Sequence, residues 1–161
     1  MGATRATKRE VAGNEPVPSL YDRDFYAWTM EQAEALRSGR DVDLDTENLA
    51  EEVECLGKEQ FNKLQSHLRI ILLHMLKWDF QPARRSRSWT ISIVDHRYDL
   101  EDVLSDNPSL RPRLPEAVQR AYRKARLEAA DETNLKMATF PVECPYELGE
   151  IVSRSFDWPE A

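Results

Sequence analysis

Three polar residues recur at seven-residue steps within an otherwise apolar helical stripe: Gln60, His67 and His74. The apolar members of that stripe are Leu49, Val53, Leu56, Leu64, Ile71 and Trp78. Seven residues make nearly two α-helical turns, so the three polar side chains share one face at steps of about 10.5 Å. Polar groups on a core face need partners, because an unpaired buried one costs about 1–3 kcal/mol.

Candidate partners for these side chains lie on later helical segments. His96 and Arg97 lie beside a stripe that contains Trp89, and Glu132 continues the stripe of a further helix. Two interpretations stay open: the polar groups bond to each other and fix helix register, or they line a ligand pocket in the bundle core. We expect no metal and no cofactor, because His67 and His74 are too far apart to share an ion and no Glu-x-x-His motif is present. An ion would need one histidine with carboxylates brought from elsewhere.

A second group of functional residue types is basic. It consists of Lys77, Arg84, Arg85 and Arg87, flanked by Trp78 and Trp89. Guanidinium groups near indoles suit recognition of phosphate or carboxylate through forked hydrogen bonds and cation–π contacts. The alternative is a positively charged helix end that complements its own dipole, with both tryptophans in the core.

A candidate reactive thiol is Cys144, which precedes Pro145 at an expected helix start. A helix N-terminus lowers a thiol pKa and favours the thiolate, whereas a small buried capping residue is the alternative interpretation. The chain contains no nucleophile elbow, phosphate-binding glycine loop, dinucleotide fingerprint or metalloprotease motif. The sequence therefore assigns no catalytic residue and favours a protein that is not an enzyme.

Composition limits the class of protein that holds these residues. The chain has 161 residues, of which 41% are hydrophobic, 32% are charged and only 5 are glycine, with a formal net charge of −7. We expect one helical domain over residues 20–161 after a flexible tail over residues 1–19.

The acidic net charge argues against nucleic-acid binding, although the centre of the chain is basic. No apolar run is long enough for a membrane span, and no secretory signal is expected. Two cysteines indicate a reducing cytoplasm.

Periodicity predicts the elements that position the candidate residues. A first helix is expected over about residues 21–38, stopped by Gly39. A second begins after the cap Asp45 and runs to about Asp79, with a bend or break near Gly57. Its apolar part, Leu68–Leu76, should form the centre of the core.

Three further helices complete the prediction. The first follows a Ser88 cap and carries two apolar stripes, Trp89–Ile93–Leu100–Leu104 and Ile91–Val94–Tyr98. We interpret this pattern as a helix buried on two sides rather than a short strand. Another helix should span about residues 114–132, and a last short one should start at Cys144–Pro145. The expected class is all-α, an up-and-down bundle of about four main helices with a short C-terminal helix.

Several segments resemble a bacterial family of uncharacterised proteins. The runs LAEEVECLGKEQ, HMLKWDFQPARRSRSW, NPSLRP, AYRKARLEAADET and FPVECPY are similar to domain-of-unknown-function family twenty-nine. The resemblance covers about residues 20–158 and implies an up-and-down helical bundle, but it implies no activity.

By elimination, we expect a non-catalytic interaction or regulatory module that binds another protein. The alternative is an enzyme or a ligand or metal binder with a core pocket near His67, His74, His96 and Arg97. The oligomeric state is left open.

Overall fold

The computed structural model describes residues 18–157, and over this range the chain contains α-helices and short 3-10 turns but no strand. The predicted all-α bundle is confirmed. Its helices are α1 (Leu20–Arg23), α2 (Phe25–Ser38), α3 (Thr46–Phe80), α4 (Arg87–Asp106), α5 (Leu114–Thr133) and α6 (Leu148–Ser153). None of the helices within residues 18–157 has the length and apolar character needed to cross a membrane. The expected tail lies outside the described residues except for Pro18 and Ser19.

The chain divides into two compact units, one ending at Glu52 and the other beginning at Val53. The single domain expected over residues 20–161 stays a prediction.

In the first unit, the expected first helix is divided into α1 and α2 at Asp24. The carboxylate of Asp24 caps α2 by accepting a hydrogen bond from the Ala27 N–H at 2.9 Å. Gly39 stops α2 as predicted, in the left-handed conformation with φ of 67°. Asp45 caps α3 as predicted, accepting from the Asn48 N–H.

Helix α3 runs without interruption through Gly57, so a break there is wrong, and the alternative of a bend stays a prediction. A glycine inside a helix costs about 1 kcal/mol relative to alanine, which a long helix tolerates. The apolar stripe of α3 is also shorter than predicted. Val53 and Leu56 are 66% and 61% exposed, and burial in the core begins only at Phe61.

The core of the second unit is built around the Leu68–Leu76 part of α3. Leu68, Ile71, Leu72, Met75 and Leu76 are fully buried there. They belong to one cluster with apolar residues of α4 and with the alanines of α5, which are Ala117, Ala121, Ala125 and Ala129. Small side chains at these positions let two helix backbones approach closely. The prediction that this segment forms the core is confirmed.

Helix α4 is a helix, as predicted, but two expectations about it are wrong. It begins at Arg87 after Ser86, two residues before the expected start after a Ser88 cap. Only one of its apolar stripes is buried: Ile93 and Leu100 lie in the core, whereas Ile91 is 53% and Tyr98 is 70% exposed. The third member of the second stripe, Val94, is 38% exposed.

The C-terminal segment starts its helix later than expected. Helix α5 matches its predicted bounds to within one residue, but α6 begins at Leu148 rather than at Cys144–Pro145. The reason is local, since Glu147 and Glu150 form a reciprocal capping box that fixes the helix start. Cys144 and Pro145 lie in the irregular segment before it.

The buried half of α3 should dominate stability. We expect Leu72→Ala to lower the free energy of unfolding by about 2–5 kcal/mol, because the lost methyl groups leave a cavity in a fully packed core. Leu127→Ala on α5 is the matched control, since Leu127 is 63% exposed and its truncation should cost under about 0.5 kcal/mol. Urea unfolding followed by circular dichroism measures both values. Equal losses in the two variants would contradict this account of the core.

Candidate functional site

Two histidines and one aspartate converge where α4 packs on α3. His67 belongs to α3, while His96 and Asp99 are three residues apart on α4 and therefore share one face of that helix. The Nδ1 atoms of His67 and His96 are 3.0 Å apart. The Asp99 Oδ2 atom lies 3.4 Å from the His67 Nδ1 and 3.5 Å from the His96 Nδ1. We call these three residues the His–His–Asp cluster.

The cluster is half-buried, and its surroundings affect the charge of His67. Burial lowers the pKa of His67. The negative charge of Asp99 raises this pKa, whereas the neighbouring His96 lowers it further. The carboxylate of Asp95 also acts on His67 and raises its pKa. The neutral imidazole is thus favoured overall, and a neutral imidazole offers a lone pair to a proton donor or to a cation.

His74 lies two helical turns beyond His67 and forms a separate environment. Its Nδ1 atom is buried and has no hydrogen-bond partner among the described residues. Burial, followed by the positive charge of Lys77, lowers the pKa of His74 to about 4, while Glu132 acts in the opposite direction. Its ring lies 6.5 Å from the Trp89 ring, measured between centroids. The neutral form of this half-buried imidazole is therefore favoured.

The remaining core candidates are dispersed. Gln60 is half-buried and makes no side-chain hydrogen bond to another described residue. The Arg97 guanidinium donates to the carbonyl oxygens of Glu150, Ile151 and Arg154 at 2.8–3.0 Å and so ties α6 to α4. Glu132 forms a salt bridge with Lys77. Of the six candidates, His67 and His96 are the two that the structure brings into direct contact.

The basic candidates differ in their contacts. Lys77 is buried, with its Nζ 4.7 Å from the Trp89 ring centroid and paired to Glu132. Arg85 donates to the Trp78 carbonyl oxygen at 3.0 Å and stacks on the Trp78 ring. Arg84 and Arg87 are exposed. Lys77 is thus committed to contacts inside the unit.

The surroundings of Cys144 differ from those expected of a thiol at a helix start. It lies before α6 rather than at the helix start, so the premise of the prediction is wrong. Burial raises the pKa of the Cys144 thiol, and its sulfur lies 3.7 Å from the Tyr146 carbonyl oxygen. It lines an open cavity of about 1000 Å³ beside α5, together with Tyr122, Arg126 and Tyr146. A raised pKa favours the protonated thiol at neutral pH.

Sequence reasoning missed Asp99 and the network at the C-terminal end of α3. The three-residue spacing from His96 was the available signal for Asp99. In the network, Arg154 donates to both carboxylate oxygens of Asp79 at 2.7 and 2.8 Å, and Tyr146 donates at 2.9 Å. Burial alone raises the pKa of Asp79, but these hydrogen bonds bring it below its ordinary value. The spacing of these residues along the chain gave no signal for their contact.

The half-buried His74 should make stability fall in acid. A histidine whose folded pKa is about 4 against an unfolded value of 6.5 binds fewer protons when folded, so stability is lost as pH falls from 6.5 to 4. The titratable groups that act on its pKa are Lys77, Glu132 and His96. We expect His74→Gln to remove about 2–3 kcal/mol of this pH dependence, allowing for solvent screening.

Urea unfolding of wild type and His74→Gln at pH 7, 5.5 and 4 provides the comparison. The two proteins share every titrating group except His74. The difference between their unfolding free energies should therefore change steadily from pH 7 to pH 4. A constant difference from pH 7 to pH 4 would show that His74 protonates alike in the folded and unfolded chains.

Comparison with known proteins gives one match. Residues 20–157 match the family described as "Domain of unknown function DUF29". No curated protein and no solved structure matches the chain. The match covers most of the chain and agrees with the resemblance seen in the sequence, but it assigns no chemistry to any residue.

Proposed function

The chain belongs to the DUF29 family, whose function is unknown, and from its geometry we propose that it is a non-catalytic protein-interaction module. The observation that carries this proposal is the exposed apolar stripe of α4, formed by Ile91, Val94 and Tyr98. These residues have helical spacing, so they present one continuous apolar face. Contiguous apolar surface of this kind is typical of interaction sites.

The stripe leads into a groove between α4 and α6. The groove has a volume of about 460 Å³ and is lined by Val94, Tyr98, Leu100, Leu104 and Val152, among others. Its position is fixed by Arg97, whose guanidinium ties α4 to three carbonyl groups at α6. A groove of this size, held by fixed helices, suits the side chains of a partner helix.

Charge along α4 indicates the kind of partner. Asp95, Asp99, Asp102 and Asp106 recur at steps of four, three and four residues, so they form an acidic stripe beside the apolar one. Asp95, Asp102 and Asp106 are exposed. The one basic side chain in this half of α4, Arg97, is committed to α6. We therefore propose that the groove binds an amphipathic helix with one apolar face and one basic face.

The alternative of an enzyme with a pocket at His67, His74, His96 and Arg97 has less support. Arg97 donates its hydrogen bonds to α6 carbonyls, and the half-buried His74 lies near Lys77, Glu132 and Trp89.

We also propose a location in the bacterial cytoplasm. The unpaired state of Cys55 and Cys144 supports a reducing compartment.

Binding of designed peptides tests the proposal. A helical peptide of about 18 leucine and lysine residues, with leucine at helical i, i+3 and i+4 spacing, should bind with a micromolar Kd measured by fluorescence anisotropy. Tyr98→Ala should weaken binding about 10-fold or more, because it truncates an exposed aromatic anchor. Leu127→Ala, an equally exposed apolar truncation on α5, should change the Kd less than about 2-fold.

Two control peptides and a change in salt concentration test the specificity of binding. A peptide of the same composition without an apolar face should bind at least about 10-fold more weakly, as should a leucine–glutamate analogue. Raising the salt concentration should weaken binding of the basic peptide. Equal affinity for all three peptides, or no effect of Tyr98→Ala, would contradict the proposed docking surface. Self-association of the protein through Tyr98, seen by sedimentation, would replace the proposed partner with a second copy.

A further inference from the structure

We propose that the His–His–Asp cluster of His67, His96 and Asp99 binds a divalent first-row transition-metal ion such as Zn²⁺ at the contact between α3 and α4. The proposal does not depend on the peptide groove, although Asp99 also belongs to the acidic stripe of α4, and it goes beyond the interaction function. It rests on the positions of three ligand atoms, one on α3 and two on α4, each of a type that such ions prefer.

The spacing of the three atoms matches a coordination sphere. Bonds from Zn²⁺ to imidazole nitrogen or carboxylate oxygen are about 2.0–2.2 Å, so tetrahedral ligand atoms lie about 3.3–3.5 Å apart. The three distances within the cluster are 3.0, 3.4 and 3.5 Å. Side chains on two different helices therefore already lie close to the positions that an ion would require.

Hydrogen bonds alone do not satisfy all three contacts. A single proton on the His67 Nδ1 can be shared between the His96 nitrogen and the Asp99 oxygen, but those two acceptors then face each other at 3.5 Å without a donor. Protons on both Nδ1 atoms would instead place two donors 3.0 Å apart. With neither proton, all three atoms are acceptors. One cation interacts favourably with all three atoms at once.

The surroundings are compatible with a bound ion. The side chains of His67, His96 and Asp99 are 21%, 29% and 46% exposed, so an ion can enter from solvent and keep a water ligand. Arg97, next to His96 in sequence, directs its positive charge to the α6 carbonyl groups. Asp95 adds negative charge near His67. Two histidines, one carboxylate and a solvent position form a donor set that zinc and iron(II) sites both use.

The experiment is titration of the full chain, freed of metal by chelation, with Zn²⁺ and with Co²⁺. We expect one ion per chain by isothermal titration calorimetry and visible d–d absorption bands from the Co²⁺ protein. His96→Gln should weaken binding about 100-fold and Asp99→Asn about 10-fold or more, since each removes one ligand. Asp131→Asn, which alters an exposed carboxylate on α5, should bind as the wild type does.

Two measurements separate loss of a ligand from loss of the fold. Circular dichroism should show equal helix content in wild type, His96→Gln and Asp99→Asn. In the unaltered protein, binding should weaken by about 10-fold or more between pH 7 and pH 5, because both imidazoles must lose their protons to bind the ion. Absence of Zn²⁺ and Co²⁺ binding by the wild type at about 100 μM metal would overturn the proposal. Equal affinity of wild type and His96→Gln would overturn it as well.

Discussion

The packing of α4 against the buried half of α3 is the contact on which the other features depend. Leu68, Ile71 and Leu72 of α3 share one apolar cluster with Ile93 and Leu100 of α4, so burial of apolar surface fixes the rotation of α4 about its own axis. That rotation places His96 and Asp99 beside His67 and turns Tyr98 outward. The polar cluster and the exposed stripe are therefore two consequences of one packing arrangement.

The C-terminal segment reinforces this arrangement through polar contacts. Arg97 binds the carbonyl groups of α6, and Arg154 with Tyr146 binds Asp79 at the end of α3. Such multiple hydrogen bonds to charged groups are worth more than a neutral hydrogen bond and fix geometry as well. The groove between α4 and α6 thus has two rigid walls. A preformed groove reduces the entropic cost of binding a partner helix.

Much of the fold was predictable from the sequence, whereas the site was predictable only in part. Helical spacing identified α3, α4 and α5 because their apolar residues follow a period of 3.6, and the Asp45 cap marked the start of α3. The pattern also placed His67 on the core face. It did not show that Ile91, Val94 and Tyr98 stay exposed, because an apolar stripe has the same spacing with or without a partner helix. The contact between His67 and His96 depends on how two helices align, which the spacing within either helix does not determine. The sequence offers two starts for α6, one at Cys144–Pro145 and one at the capping box of Glu147. The helix begins after Glu147 because of side-chain hydrogen bonds in that capping box.

The orientation of α4 can be measured directly by NMR spectroscopy of the metal-free protein. If α4 packs on α3 as described, ring protons of His67 and His96 should show a nuclear Overhauser effect, because their ring centroids lie 5.3 Å apart. The Tyr98 ring should show none to the core methyl groups of Leu68 or Leu72. Strong effects from Tyr98 to those methyl groups, with none between the two histidine rings, would mean that α4 presents its opposite face to α3 and would contradict the account.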